Sequence, residues 1–393
     1  MTGPARGSTI RFDFATAQRI VFGAGAVAQA APIARSLGSR ALLVTGGTAA
    51  RAEPLRDAVG KAGVDAVVYP VAGEPTVEIV RSGRDLALAE GCDLVIGFGG
   101  GSVLDTAKAL AAMLTNEGDL LDYLEIIGGG RSLAVPSTPS IAIPTTAGTG
   151  SEVTRNSVIA SPEHRVKVSL RNTFLLPTIA LVDPELTYSV PPALTATTGL
   201  DTLTQLIEPL VCTQANPLTD ALCREGIGRA ARALPLAARD GTDTGAREDM
   251  ACASLFGGVA LANAGLGAVH GITGPLGGMF TIPHGAACAA LLPHVVSANI
   301  QALRERAPDS RALDRYQVVA GLLTGQAQAT PEEAVSWLTA LNAELDIPGL
   351  SGYGITREHI PEIVEKAAAA SSMKVNPIAL TQRELARVVE AAL

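Results

Sequence analysis

The chain has 393 residues, 47% of them hydrophobic and only 17% charged. That is too long for one ordinary core and far too apolar for a disordered chain, so two folded domains are expected. A net charge of −8, with no run rich in Lys and Arg, excludes a nucleic-acid surface.

Five cysteines, Cys92, Cys212, Cys223, Cys252 and Cys288, form no C-x-x-C pair. An odd count without that spacing argues against a disulfide framework or zinc knuckle; a reducing, cytoplasmic compartment fits, and all five read as small buried hydrophobes. Met1 to Phe14 is polar, without the apolar segment of a signal peptide.

In chain order, short apolar runs at 41–46, 93–97, 141–146 and 179–183 read as strands buried on both faces. Ala-rich helical patterns, such as 53–62 and 77–90, separate the early ones. This alternation predicts a parallel sheet with crossover helices. After Asp183 the pattern changes: Pro191-Pro192 break the chain, and helical patterns then run to Leu393, with loops around 348–354. The expected architecture is an α/β dinucleotide-binding domain over 1–190, followed by an all-helical domain over 191–393. Between Asp249 and Arg304 there is no charged residue, yet Asn263, His270, Pro275, Pro283 and His284 interrupt the stretch. Lipid would leave these groups unsatisfied, so buried core helices are expected, not a membrane span.

The run Phe98 to Lys108 places Gly99, Gly100, Gly101, Ser102 and Asp105 between a strand and a helix. Glycines allow an anion close to the backbone, and a helix N-terminus supplies free N–H groups and partial positive charge; together they suit a pyrophosphate. The triplet at 128–130 lacks a preceding strand and reads as a plain loop. A second loop, Pro144 to Glu152, offers the hydroxyls of Thr145, Thr146, Thr149 and Ser151.

Taken together, GGGSVLDTAK and IPTTAGTGSEVT resemble the cofactor signatures of the iron-containing (group III) alcohol dehydrogenases, over nearly the whole chain. The resemblance implies that the first loop holds the pyrophosphate of NAD or NADP and that the second lines pyrophosphate and nicotinamide. It also implies that Lys167 contacts the cofactor and that the protein is a homodimer or larger. Gly46 and Gly47 end an early strand where an acidic residue often binds the ribose 2′-hydroxyl. The missing carboxylate admits NADP, whose phosphate Arg51 is placed to meet.

Asp201 and Gln205 are four apart on one helix face, and His270 and His284 are fourteen apart. The resemblance implies a divalent metal, Fe²⁺ or Zn²⁺, held at these four positions. The chain departs from the family pattern at two places: Gln205, one of the four, stands where a histidine is usual, and Gly274 stands where a non-ligand active-site histidine often sits. Asp201, His270 and His284 alone still form a three-ligand site with an open position, as in the related glycerol dehydrogenases. The reaction expected is NAD(P)-dependent oxidation of a small alcohol or reduction of an aldehyde. A metal-free reductase like the similar maleylacetate reductases is the alternative, disfavoured by the lack of Lys or Arg near the two histidines. A lyase relative resembling dehydroquinate synthase would need more cations still. Leu206, Ile207, Phe280 and Ile282 are expected around the metal, His294 at a helix end, and His164 and His359 on the surface. Asp183 is expected in a turn.

Overall fold

The computed structural model describes residues 10–164 and 166–393. The polar N-terminal stretch lies outside the described residues as far as Thr9.

The N-terminal part alternates strand and helix: β1 (Arg19–Phe22), α1 (Ala30–Leu37), β2 (Arg40–Gly46), α2 (Glu53–Lys61), β3 (Asp65–Val71), α3 (Val77–Ala89), β4 (Leu94–Gly99), α4 (Gly101–Met113), β5 (Ser140–Pro144), a hairpin of β6 (Asn156–Ser161) and β7 (Val166–Arg171), and β8 (Ile179–Val182). Six strands form one sheet in the order β1-β8-β5-β4-β2-β3, all parallel; β6 and β7 pair antiparallel beside it. Side chains alternate across the sheet. Leu42, Val44 and Val95 pack on α3 and α4, while Leu43, Ile96 and Ile143 pack on α1 and α2. Both faces are covered, which is why these strands read as continuous apolar runs. Asp183 caps the turn at Pro184–Thr187 and accepts from Gly25 and Val27 N–H, a turn residue as expected.

From Pro192 the chain is helical: α5 (Pro192–Val211), α6 (Pro217–Arg239), α7 (Thr244–Ala264), α8 (Ala268–Met279), α9 (His284–Arg306), α10 (Arg311–Thr324), α11 (Pro331–Glu344), α12 (Ile360–Ala368) and α13 (Gln382–Ala391). The 348–354 segment contains a 3-10 turn, Leu350–Tyr353, rather than plain loop. Helix α9 is long and apolar enough to cross a membrane but lies 78% buried inside the bundle. Between α7 and α8 the chain bends by 97°, around Gly265 with φ 90°. That bend starts α8 against α5 and α9, and it sets the direction of His270.

Candidate active site between the sheet and the helical bundle

Chain direction across the sheet reverses at β2 and β4, where β3 continues one way and β5 the other. Crevices at such switch points, at the carboxyl ends of parallel strands, are the usual ligand sites of open α/β sheets. Gly46 ends β2 and Gly99 ends β4, each one residue beyond the paired Thr45 and Phe98. Pro144 pairs with Gly99, so the 99–102 and 145–151 loops emerge side by side.

Gly100 caps α4 with no side-chain hydrogen bond. The Val103 and Leu104 N–H groups both reach Gly100 O, leaving the amides of Gly101 and Ser102 at the open end of the helix. A side chain built at Gly100 would meet only Thr146, at 3.5 Å, whereas one at Gly101 would meet Thr149 at 2.7 Å. Gly101 is thus needed for loop packing, and Gly100 faces space.

Asp105 and Ser151 bind each other. Ser151 Oγ donates to Asp105 Oδ1, and Asp105 Oδ2 accepts the Val158 N–H. The buried Lys108 ammonium sits 2.9 Å from Asp105 and donates to Ser151 O and Thr154 Oγ1. These groups lock the two loops together. Beside them Glu152 is fully buried; desolvation pushes its carboxyl up to about 7, against the pull of Lys108. Lys167, on β7, reaches Glu74 at 3.1 Å and lies against Gly277 of α8. Arg51 binds Leu186 O and Ser189 Oγ, both at 3.1 Å.

The loop 145–151 also touches the bundle. Gly150, at φ 59°, passes so close to Gly258 of α7 that a Cβ would lie 2.4 Å from its Cα. Thr202 of α5 donates to Gly148 O. Its neighbour Asp201 is buried and faces His270 of α8 and His284 at the start of α9. The Oδ1–Nε2 distances are 3.5 and 3.7 Å. Cys288, one turn after His284, brings its sulfur to 3.9 Å from His270 Nε2 and 3.7 Å from His284 Nε2. One donor atom from each of these four residues lies within 4.8 Å of the others. Gln205 lies on the same face of α5; its Oε1 and Asp201 Oδ1 are buried without a hydrogen-bond partner.

Glu208, a further turn along α5, holds the arrangement from behind. One carboxylate oxygen accepts the Val269 N–H at 2.7 Å, capping α8, and the other sits 2.6 Å from His270 Nδ1. A proton on Nδ1 leaves the Nε2 lone pair facing Asp201 and Cys288.

The charges fit a cation. Burial raises the Asp201 carboxyl, but the imidazoles of His284 and His270 overrule it and hold it below its ordinary value. Burial penalises charged His270, yet Cys288, Glu208 and Asp201 raise it well above the ordinary range. His284 is lifted against burial to about 9 by Cys288 and Asp201. Burial raises the Cys288 thiol, and the two imidazoles more than reverse this. A carboxylate, a thiol of lowered pKa and two imidazoles, with two orphaned oxygens, form a donor set for a divalent cation, which would displace the protons.

Asp201, Gln205, His270 and His284 thus converge, as do the two loops. Cys288 was missed: it is no inert packing residue, and its signal was the four-residue spacing from His284 on a helix. Glu208 was missed too, although 201, 205 and 208 share one face of α5. Leu206 and Ile207 do not line the site. Both are fully buried in the bundle core, and Leu206 packs on Gly226 of α6. Ile282 is also buried in that core; Phe280 packs against its margin and edge-on to His359, which is therefore only partly exposed. His294 lies within α9, not at its end. Gly274, one turn past His270, has open space where a side chain would point.

Comparison with known proteins agrees with this geometry. The iron-containing alcohol dehydrogenase family matches residues 17–184, and the Fe-containing alcohol dehydrogenase family, C-terminal, matches 195–393. The NAD-dependent methanol dehydrogenase of Bacillus methanolicus is 35% identical over 379 residues, covering 95% of this chain and 97% of that protein. The 1,3-propanediol dehydrogenase of Citrobacter freundii is 36% identical over 394 residues, covering 97% and 98%. The crystal structure of a 1,3-propanediol oxidoreductase superposes with a TM-score of 0.89 at 34% identity, over 98% of this chain and all of that one. The chain belongs to the iron-containing alcohol dehydrogenase family.

Proposed function

We propose that this protein interconverts a small alcohol and its aldehyde with NAD or NADP, in a cleft between an α/β domain ending near residue 190 and the helical domain. The observation that carries the reading is the convergence of the two cofactor-type loops on Asp201, His270, His284 and Cys288. Thr202 hydrogen-bonds to the loop and neighbours Asp201 in sequence. The open α4 amides and the 99–102 backbone take the pyrophosphate. Thr145, Thr146 and Thr149 line the cofactor beside it, Gly46 and Gly47 admit its ribose end, and Lys167 reaches toward it from β7. Asp105 and Ser151, which bind each other, act by fixing both loops.

When bound, the nicotinamide exchanges hydride and a divalent cation polarises the alcohol or carbonyl oxygen. Asp201, His270 and His284 hold the cation, with Fe²⁺ and Zn²⁺ the candidates. The side chain of His284 is 39% exposed, whereas those of Asp201 and His270 are at most 9% exposed, so substrate approaches from the His284 side. With glycine at 274 the chain has no imidazole there, and the alcohol proton passes to water or a ribose hydroxyl. Lys167, which lies against Gly277 of α8, is paired with Glu74, and a cation already neutralised in this way suits an uncharged substrate. Among the described residues all five cysteines are free, which fits the cytoplasm. The open edge of β1, where Ile20 is exposed, fits a homo-oligomer.

The test is exhaustive chelation followed by assay with small primary alcohols. Turnover is expected to vanish and return on adding Zn²⁺ or Fe²⁺, with cofactor affinity unchanged throughout. Full turnover in metal-free protein would leave a metal-free carbonyl reductase instead.

A further inference from the structure

Cys288 stands among charged and polar groups in a way that packing does not require. It is fully buried on the inner face of α9. Its sulfur faces the Nε2 atoms of both histidines, and Thr273 Oγ1 at 3.7 Å is its other polar neighbour. We propose that Cys288 Sγ is itself a donor to the active-site cation, so that the site is held by one carboxylate, two imidazoles and one thiolate. The proposal rests on the reading that a divalent cation occupies this cluster.

The distances carry it. Zinc bonds of about 2.0–2.1 Å to nitrogen and oxygen and about 2.3 Å to sulfur give tetrahedral edges of roughly 3.3–3.6 Å. The edges found are 3.5 and 3.7 Å from Asp201 Oδ1 and 3.9 and 3.7 Å from Cys288 Sγ to the two Nε2 atoms. These four edges need contract by only a few tenths of an ångström, and all four donor atoms lie within 4.8 Å of one another. Glu208 fixes the ring of His270 toward the same point.

The buried Oε1 of Gln205 has no partner, but a neutral amide is a weak donor beside a thiolate. In this arrangement Gln205 steadies the Asp201 carboxylate and Cys288 takes the metal. As the sulfur–metal bond forms, the thiol proton leaves to solvent, and no oxidant or reductant is involved. A thiolate also moves preference toward a softer cation, so the set suits Zn²⁺ better than Fe²⁺. With four protein donors, substrate enters as a fifth, from the His284 side.

The test uses the full chain, stripped of metal and titrated with Co²⁺, with bound metal quantified and absorption recorded. One equivalent should bind, giving visible ligand-field bands and a strong near-ultraviolet thiolate-to-Co(II) charge-transfer band. The band should persist in Gln205→Ala. It should disappear in Cys288→Ser, with Zn²⁺ affinity falling more than the roughly 10–100-fold that an outer-shell change costs. The preference for Zn²⁺ over Fe²⁺ should narrow in the same variant, and an unchanged ratio would overturn the proposed tuning. NADH binding by Cys288→Ser reports whether it folds; should it not, the wild-type spectrum decides alone. Stoichiometric Co²⁺ with visible bands but no charge-transfer band overturns the role of Cys288 and leaves the metal site standing. Wild-type protein that binds NADH but neither Co²⁺ nor Zn²⁺ overturns the metal site, and this proposal with it.

Discussion

Replacing Gly100 by Val separates cofactor binding from folding. The backbone at Gly100 is extended, φ −76° and ψ −173°, a conformation open to any residue. Its Cβ would meet Thr146 at 3.5 Å, an ordinary contact. Losing glycine as a helix cap costs roughly 1 kcal/mol, and a stiffer unfolded chain returns about 0.4–1 kcal/mol, so stability should change by less than about 1 kcal/mol. The same side chain would stand over the amides of Gly101 and Ser102. Charge-assisted hydrogen bonds are worth about 1.5–3 kcal/mol each, so losing two costs roughly 3–6 kcal/mol. NADH affinity should therefore fall at least about a hundredfold, which corresponds to roughly 2.7 kcal/mol. Titration of nicotinamide fluorescence measures the affinity, and a thermal melt measures the fold. Gly101→Ala is the contrast, because its Cβ would lie 2.7 Å from Thr149 and destabilise the fold itself, by about 1–3 kcal/mol. A folded Gly100→Val protein that binds NADH within about threefold of wild type would refute the pyrophosphate site at α4.

Gly46→Asp adds a carboxylate into open space at the end of β2; the NADP/NAD ratio of kcat/KM should fall at least about tenfold, and no fall would misplace the ribose. Glu208→Gln leaves His270 in place but weakens its orientation and basicity, so metal affinity should drop about 10–100-fold with NADH affinity unchanged; equal metal affinity by competition with a chelator would deny Glu208 that role. Glu152, raised by burial to about 7 from an ordinary 4.5, binds its proton more tightly folded than unfolded. Its contribution is therefore full below the unfolded value and is lost as pH rises through the folded one, about 3 kcal/mol in all. Glu152→Gln should remove that loss, so wild type should weaken relative to the variant from pH 5 to about 8 in urea melts; parallel pH profiles would contradict the burial argument.

The sequence was most readable where burial is complete on both sides. Strands β2, β4, β5 and β8 lie within one or two residues of the apolar runs, because a strand covered on both faces leaves no polar positions. Helices α2 and α3 end within one residue of their Ala-rich patterns. The strands passed over are of other kinds. β1 has two exposed and two half-buried residues at a sheet edge, and β3 forms the opposite edge with Pro70 near its end. β6 and β7 alternate buried and partly exposed residues, a period of two that a search for continuous runs does not catch. At the site, His270 and His284 were legible from spacing within a resemblance. Cys288 was less so: its four-residue spacing from His284 is a signal, but a single thiol in an Ala-rich helix reads as packing. Only the 97° turn into α8, which brings His270 onto α9, makes it a neighbour of two imidazoles.

One turn of α5 joins the two chemistries. Thr198 packs under Gly148, where a Cβ would lie 2.8 Å from it, Thr202 donates to Gly148 O, and Asp201 between them faces the histidines. On the sheet side, the Asp105–Ser151 bond and buried Lys108 tie that loop to α4 and its open amides. A bound nicotinamide and a bound substrate oxygen would thus be indexed to a single helical turn, not to separate loops. Misplacement by even 1 Å can cost on the order of a hundredfold in such reactions. On the proposed placement of cofactor and cation, Asp105, Lys108 and Ser151 would serve that requirement through their bonds to one another, by fixing the loop that Thr202 holds to α5.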